Sequence, residues 1–449
     1  MLFGKKTGDR FKMNRARRDG ITLLLLGSLV FILLGAAMEN ASAFQMMDFK
    51  GLYYPARCLI QHCDPYSESE VLRAYQADVS NHPSDTERLR EIATRYVYQP
   101  TAFCFTIPFA MLPWGPAHLL WISLTVGSLI FASFLIWNLG ADYAPDISGI
   151  LIFPLLFFSE VLVITGNAAG IAISFCVVAV WCFLRERYVL PGILCFAISL
   201  TLKPHDTGLV WLYFLLAGGV FRKRALQTLV ATVALSLPVV LWVWQVSPHW
   251  MQELHSTIQA YAAHGGLNDP GPASKGAHGL GTLLNLQAVI SIIRDDPRIY
   301  NPISYLIFAL LLIVWVFTTL RSHSSPARTW LALASIAAIT MLPVYHHLYD
   351  AKLLLLTVPA CAMLWAEGGR IGRIALLLNV VGFIVTGDLP WIIILPHISK
   401  LPPTATQLSV HIAMAVQAFP APLILLVLGI FYLWVYVRRC SAPILPQPL

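Results

Sequence analysis

Charge is what this sequence lacks. Asp, Glu, Lys and Arg together make up 12% of its 449 residues, against about a quarter in an average soluble domain. So little charge cannot coat a water-soluble globule of this size. Disorder is excluded as well, because it requires low hydrophobicity and high charge, and 57% of the residues are apolar. Also missing are the glycine-rich phosphate loops, the HExxH zinc helix and the GxSxG elbow in their proper contexts. The eight cysteines include no CxxC pair, which removes the common metal and redox spacings. What remains is an all-α polytopic membrane protein.

The net charge of +7 would suit an acidic partner, but its distribution argues otherwise. Lys5, Lys6, Arg10, Lys12, Arg15, Arg17 and Arg18 crowd the first twenty residues, and the apolar run Ile21 to Met38 follows at once. Basic residues beside a first hydrophobic segment hold that side in the cytoplasm. The excess therefore sets topology, and no nucleic-acid partner is expected. Ala41-Ser42-Ala43 resembles a cleavage site, yet the run of eighteen exceeds a usual signal core of about 7–15 residues. An uncleaved anchor is expected. Cys104, Cys176, Cys182, Cys195 and Cys361 fall in apolar runs and read as small hydrophobes, and Cys440 lies at the cytoplasmic end. Cys58 and Cys63 share a polar loop; they could pair if that loop is outside and bends there, with the unpaired state favoured.

A helix needs about 20 apolar residues to cross the hydrocarbon core. After a cytoplasmic tail (1–20) and a first span (21–38) comes a polar stretch, 39–97. Apolar runs then fill 98–246 and 303–437, separated by a Gly/Pro-rich polar loop at 247–302 and followed by a short tail, 438–449. The basic clusters Arg185/Arg187, Arg222 to Arg224, Arg321/Arg328, Arg370/Arg373 and Arg438/Arg439 are read as cytoplasmic. Two apolar runs lie between each consecutive pair of them. Parity is kept if the proline-bearing run 98–113 is re-entrant or partly embedded, which gives about twelve crossings with both termini inside. The polar segments without basic clusters then emerge together outside: 39–97, Gly166-Asn167, Lys203 to Asp206, 247–302, His346 to Asp350 and Pro396 to Leu408.

Those segments carry the candidate chemistry. Asp48 opens a stretch in which Phe49, Leu52, Tyr53, Ala56, Leu59 and Ile60 recur at helical spacing, as in a helix lying along the interface. Asp64-Pro65-Tyr66 reads first as a helix stop. Lys203 and His205 stand between two short apolar runs, where they could meet an anionic headgroup or simply form a polar hairpin. In Tyr345-His346-His347-Leu348-Tyr349-Asp350, neighbouring histidines point apart on a helix, so a phosphate or sugar contact is favoured over a metal. Tyr345 and Tyr349 could flank a sugar or belong to an aromatic belt. Glu160, inside an apolar run, is either a functional acid or a paired structural one. The loop with His249, Trp250, His255, His264 and His278 could close over a site or only connect two spans.

The order of these parts resembles the GT-C superfamily of membrane glycosyltransferases, and most closely glycosyltransferase family 87, the polyprenyl-phosphate-mannose-dependent type. The resemblance rests on Asp48 to Arg57, Asp64-Pro65-Tyr66, Tyr98-Gln99-Pro100, Pro108 to Pro113, Thr165-Gly166-Asn167, Leu202-Lys203-Pro204 and His347 to Asp350. Each is short, and their order carries the likeness. Cys63 stands where a Gly is usual, Gly166 is followed by Asn rather than Gln, and the charged insertion Glu68 to Glu91 is long.

The resemblance implies a GT-C-like bundle with interfacial helices in the first outside loop. It implies transfer of a hexose, mannose in this family, from a polyprenyl-phosphate donor to a lipid or glycan acceptor on the outer face of the inner (plasma) membrane. Asp48 would be the general base. Lys203, His205, His346 and His347 would hold the donor phosphate, and Tyr53, Tyr54, Asp64, Tyr66, Asn167, Tyr349 and Asp350 the sugar or acceptor. No cofactor and no metal are implied. Two other classes fit the composition: a transporter or flippase of lipid-linked sugars, and a non-catalytic envelope subunit. Neither internal repeats nor midplane breaks favour the former.

Overall fold

The computed structural model describes residues 3–42, 45–79, 87–271, 283–322, 325–387 and 419–441. The segment Pro396 to Leu408, His278 and most of its Gly/Pro-rich run, and parts of the runs expected over 374–395 and 411–437, lie outside the described residues.

The first helix, α1 (Phe3–Ala41), is followed by three helices in the polar stretch: α2 (Met47–Ile60), α3 (Glu68–Val79) and α4 (Glu87–Thr94). The proline-bearing run forms one 3-10 turn, Pro100–Ala102, and the short α5 (Phe103–Ala110). Next come α6 (Trp114–Gly140), α7 (Pro145–Phe157), α8 (Val161–Thr165), α9 (Ala169–Arg185), α10 (Val189–Leu202), α11 (Pro204–Leu216) and α12 (Gly219–Val246). The loop region holds α13 (Trp250–Ala262) and α14 (Leu286–Ile293). The second half contains α15 (Pro297–Arg321), α16 (Pro326–Ile339), a 3-10 stretch Leu348–Thr357 that runs into α17 (Val358–Glu367), α18 (Gly369–Val385) and α19 (Pro420–Ser441). No sheet occurs among the described residues, which carry only an isolated antiparallel bridge between Leu283 and His347.

The chain is an all-α polytopic membrane protein. Six of the described helices are long and apolar enough to cross a membrane: Met13–Ala41, Trp114–Gly140, Gly219–Val246, Pro297–Arg321, Leu348–Glu367 and Pro420–Cys440. Other apolar runs appear as shorter helices, including Pro145–Phe157, Ala169–Arg185, Val189–Leu202 and Pro326–Ile339. Their brevity has local causes. Gly166-Asn167 divides α8 from α9, and Lys203-Pro204 divides α10 from α11.

The lipid-facing surface is plain from exposure. Leu25, Leu33, Leu119, Val230, Leu306, Phe317 and Leu377 are all exposed, which water would penalise and hydrocarbon does not. The Leu348–Glu367 segment is buried over most of its length, and its buried charged residues, Asp350 and Lys352, find polar partners inside the bundle. Small residues set one central contact. A Cβ on Gly149 would lie 2.6 Å from the Gly20 Cα, so α1 and α7 touch backbone to backbone, as small residues allow in membranes.

The basic clusters meet one another. Arg328 donates to the Arg439 carbonyl at 3.1 Å, Arg439 donates to Glu367 at 2.9 Å, and Arg224 pairs with Glu186 at 3.6 Å. Helix α9 runs from the Asn167 turn to Arg185, so at 1.5 Å per residue these ends stand about 25 Å apart. Basic residues and the conspicuous polar residues thus occupy opposite ends of the helix.

Two expectations for the first polar stretch are corrected. The periodicity of α2 suggested one wet face, yet ten of its fourteen residues are buried. Helices α3, α4 and α5 pack around it, and an aromatic cluster of Phe49, Tyr53, Tyr54, Trp114 and Trp121 fills its surroundings. Cys58 and Cys63 are joined in a disulfide rather than unpaired. Helix α2 ends at Ile60 and His62 adopts a positive φ of 59°, which turns the chain back and leaves the two Cα atoms 5.0 Å apart. That separation lies in the usual disulfide range.

Candidate functional site

Three breaks in the helices bring the scattered polar residues together. The first is the start of α2. Met46 precedes the helix with φ 54°, and its N–H donates to the Ile164 carbonyl at 2.7 Å. That bond docks the beginning of α2 on the end of α8. Asp48, in the first turn, is thereby set beside the Gly166-Asn167 turn.

The second break is that turn. Gly166 closes α8 with φ 65° and ψ 31°, a left-handed conformation that a side chain disfavours. Its carbonyl accepts from Trp121 Nε1 at 2.8 Å, and Trp121 stacks on Phe49 with ring centroids 4.3 Å apart. A Cβ at Gly166 would lie 2.8 Å from both Phe49 Cβ and Met46 Cε. Gly166→Ala should therefore destabilise by about 1–3 kcal/mol from overpacking and left-handed strain. A lowered thermal midpoint in detergent would show it, and an unchanged midpoint would contradict this account of the turn.

Asn167 follows with a fully specified amide. Its Oδ1 accepts the Ala169 N–H at 2.9 Å, which starts α9, and its Nδ2 donates to Asp48 Oδ2 at 2.8 Å. Thr165 stands beside Asp48, with its hydroxyl donating to the Val161 carbonyl at 2.9 Å. Burial raises the Asp48 carboxyl above its ordinary range, opposed by the Asn167 hydrogen bond, the neighbouring Thr165 hydroxyl and the charge of Lys203. Desolvation disfavours the charged form, and donors restore part of it.

The third break is Lys203-Pro204. A residue before proline is pushed out of the helical region, and Lys203 has φ −143° and ψ 76°. Proline is tolerated at the first position of α11, where its missing N–H costs nothing. Lys203 is buried, with its ammonium 2.6 Å from Asp350 Oδ1, 3.4 Å from Asp206 Oδ2 and 3.4 Å from Asn167 Oδ1. It also lies 5.1 Å from the centre of the Tyr349 ring. Burial alone would lower its pKa, but Asp206 and Asp350 outweigh that and hold it above the ordinary lysine range.

Asp350 is equally constrained, because its Oδ2 accepts the His347 N–H at 2.8 Å at the start of the 3-10 stretch. The preceding segment is extended and bridges to Leu283, with Leu284 N–H donating to the His346 carbonyl at 3.0 Å. His346 and His347 do point apart. His346 Nε2 faces Asp206 Oδ1 at 3.2 Å, whereas the His347 ring contacts the Tyr345 hydroxyl and packs on Tyr349.

A continuous chain therefore runs Asp48, Asn167, Lys203, Asp350, with Asp206, His205 and His346 branching from Lys203. The structure unites Asp48, Asn167, Lys203, His205, His346, His347, Tyr349 and Asp350 from the sequence candidates. It places the others in supporting contacts. Tyr53 donates to the Leu112 carbonyl at 2.8 Å and accepts from Arg57 at 2.6 Å. Tyr54 is buried against Tyr75 and Trp114. Asp64 accepts the Tyr66 N–H at 2.9 Å, and the Tyr66 hydroxyl donates to the Tyr98 carbonyl at 3.0 Å. Glu160 is fully buried where α8 begins, near the Phe158 carbonyl that accepts from Lys352 at 2.6 Å.

Sequence reasoning gave Thr165, Tyr98 and Asp206 no role beside the carboxylates, and weighed Tyr345 only as a sugar flank or a belt residue. Tyr98 lies within electrostatic reach of Lys203, Asp48, Asp350 and Asp206. Tyrosine and threonine are ordinary at membrane boundaries, so their type gave no signal. Asp206 could have been found, since it is a fourth-position acid beside Lys203-Pro204-His205 in a chain with little charge.

The model of one protein family, glycosyltransferase family 87, matches residues 96–345. The matched region includes Tyr98, Asn167, Lys203, His205 and Asp206, while Asp48 and Asp350 flank it. No curated protein and no solved structure matches the chain.

Proposed function

The chain belongs to glycosyltransferase family 87, and from that premise we propose that it transfers a hexose, mannose in our reading, from a polyprenyl-phosphate donor to a lipid or glycan acceptor on the extracytoplasmic face of the inner membrane. The observation that carries this reading is the chain of contacts from Asp48 through Asn167 to Lys203 and Asp350, assembled from four separate segments. It puts a carboxylate whose proton affinity is raised beside a buried cation, at the helix ends remote from the basic clusters.

In this mechanism Asp48 accepts the proton of an acceptor hydroxyl as that oxygen attacks the anomeric carbon. The new glycosidic C–O bond forms while the C–O bond to the lipid phosphate breaks, with inversion. A single carboxylate within hydrogen-bond reach suffices as base. The charge growing on the departing phosphate is met by Lys203, aided by His205, His346 and His347, the kind of fixed electrostatic partner that stabilises a transition state. In this reading Tyr349 and Asp350, both beside Lys203, hold the sugar ring. The donor's long tail explains a site built among short apolar helices.

The test is transfer in proteoliposomes supplied with a polyprenyl-phosphate hexose, followed as a function of pH. The base must be deprotonated, so kcat/KM should rise with pH through the raised Asp48 pKa and level off above it. Asn167 donates to the charged form, so Asn167→Ala should move that rising limb to higher pH. A limb that stays put or moves to lower pH would remove Asp48 from the role, and the absence of transfer from any polyprenyl-phosphate hexose would remove the function.

A further inference from the structure

His205, Asp206 and His346 form a cluster that the glycosyl-transfer mechanism does not by itself explain. Each offers one ligand atom, and the three atoms lie within 4.8 Å of one another. His205 Nε2 stands 3.3 Å and His346 Nε2 3.2 Å from Asp206 Oδ1, with the two imidazole rings 5.3 Å apart. The carboxylate divides its duties. Oδ2 faces Lys203 at 3.4 Å, and Oδ1 faces the two imidazoles.

The tautomer of His346 follows from its other nitrogen. Nδ1 lies 2.9 Å from the Val344 carbonyl, which can only accept, so Nδ1 carries the hydrogen. In the neutral ring Nε2 then presents a bare lone pair to a carboxylate oxygen. His346 is fully buried, and its Nε2 and both Asp206 oxygens have no partner in hydrogen-bond geometry. Two electron-rich groups held face to face in a buried place call for a positive charge between them. A proton on Nε2 would answer His346 alone, whereas the second imidazole on the same oxygen, His205 Nε2 at 3.3 Å, is what a metal ion uses and a lone proton does not. An imidazole whose far N–H donates to a backbone carbonyl is also the usual posture of a metal-ligating histidine.

The geometry points to a divalent transition-metal site of the zinc class, held by His205 Nε2, Asp206 Oδ1 and His346 Nε2. Two imidazoles with one carboxylate suit such an ion rather than the all-oxygen shells of calcium or magnesium. Three protein ligands leave a coordination position open, as catalytic zinc sites do. His205 is the exposed member of the three, so the opening faces outward.

The site also answers an electrostatic difficulty. Asp206 and Asp350 both pair with Lys203, so part of the lysine's charge is already answered. A divalent ion on the Asp206 branch takes up that carboxylate and leaves Lys203 freer to face the donor phosphate, with His205 and His346 then acting through the ion rather than on the phosphate directly. This link to the donor rests on the function proposed above, whereas the cation site stands without it. The ligand set was not legible in the sequence, because its two parts lie on α11 and on the extended segment before the 3-10 stretch.

The experiment uses the full chain in detergent, stripped with chelator and titrated with Co2+, read by ligand-field absorbance. One equivalent is expected to bind. Asp206→Asn, His346→Ala and His205→Ala should each weaken it by about tenfold or more, and His347→Ala should not. Because His205 is exposed, its variant guards against loss by misfolding, with monodisperse elution required of every variant. No saturable binding, or binding untouched by all three substitutions, overturns the site. Transfer that persists at full rate in chelator-stripped protein overturns the cation's part in holding the phosphate. Normal cobalt binding without any transfer would remove the donor reading and leave the site standing.

Discussion

Asp48→Asn is expected to reduce glycosyl transfer by about 10²–10⁴-fold, the usual contribution of a positioned general base, with the protein still folded. The substitution keeps the shape of the side chain and removes only its basicity. The amide introduced at position 48 can turn its oxygen toward Asn167 Nδ2, so Asn167 keeps its own Oδ1 bonds to Ala169 and Lys203. The fold should tolerate the change for a second reason. Asp48 is only half-buried, and α2 is anchored by Phe49, Leu52 and Tyr53 rather than by the carboxylate. The measurement is the initial rate in proteoliposomes together with the thermal midpoint. Full activity in this variant would sink the assignment of Asp48, and a collapsed midpoint would show that its role is structural.

Lys203→Met has the largest expected effect on stability. The ammonium is buried, 2.6 Å from Asp350 and 3.4 Å from Asp206. Methionine fills a similar volume but leaves two carboxylates facing each other without a counter-charge. Breaking a buried ion pair by removing one partner costs about 3–5 kcal/mol, whereas removing both sides together is far milder. Lys203→Met should therefore lower the thermal midpoint sharply and abolish transfer. Adding Asp350→Asn should recover part of the midpoint without restoring transfer. If the single variant keeps its midpoint, the lysine is not the centre of this network. If the double variant recovers activity, Lys203 has no part in holding the phosphate.

The candidate site was partly legible because charge is so scarce in this chain. Lys203, His346, His347 and Asp350 each stand between apolar runs, and a charge near hydrocarbon is retained only with a partner or a purpose. Asp48 lies in the polar stretch, where a carboxylate costs little, and was singled out by the helical spacing behind it and by the family resemblance. Their partners were less visible. Asn167 could be singled out by its place in the Gly-Asn turn, but its double role, capping α9 and donating to Asp48, depends on how α2 docks against α8. Tyr98 and Thr165 have residue types too common at membrane boundaries to stand out. Tyr53 and Tyr54 were placed at the sugar or acceptor by the family resemblance. In the structure both pack into the aromatic cluster around α2, a contact that no residue type in the sequence announces.

Sequence by itself determined the membrane class, the grouping of basic residues at one end and the breaks at Gly166, Lys203-Pro204 and His347. These follow from composition and local backbone chemistry, which need no knowledge of distant contacts. Tertiary structure alone decided that α2 is buried, that Cys58 meets Cys63, and that Asp206 stands between Lys203, His205 and His346. Such outcomes depend on which helix faces which, and that is set by packing across the whole bundle. A periodic pattern shows that a helix has an apolar face. It cannot show that α3, α4 and α5 also cover the other one.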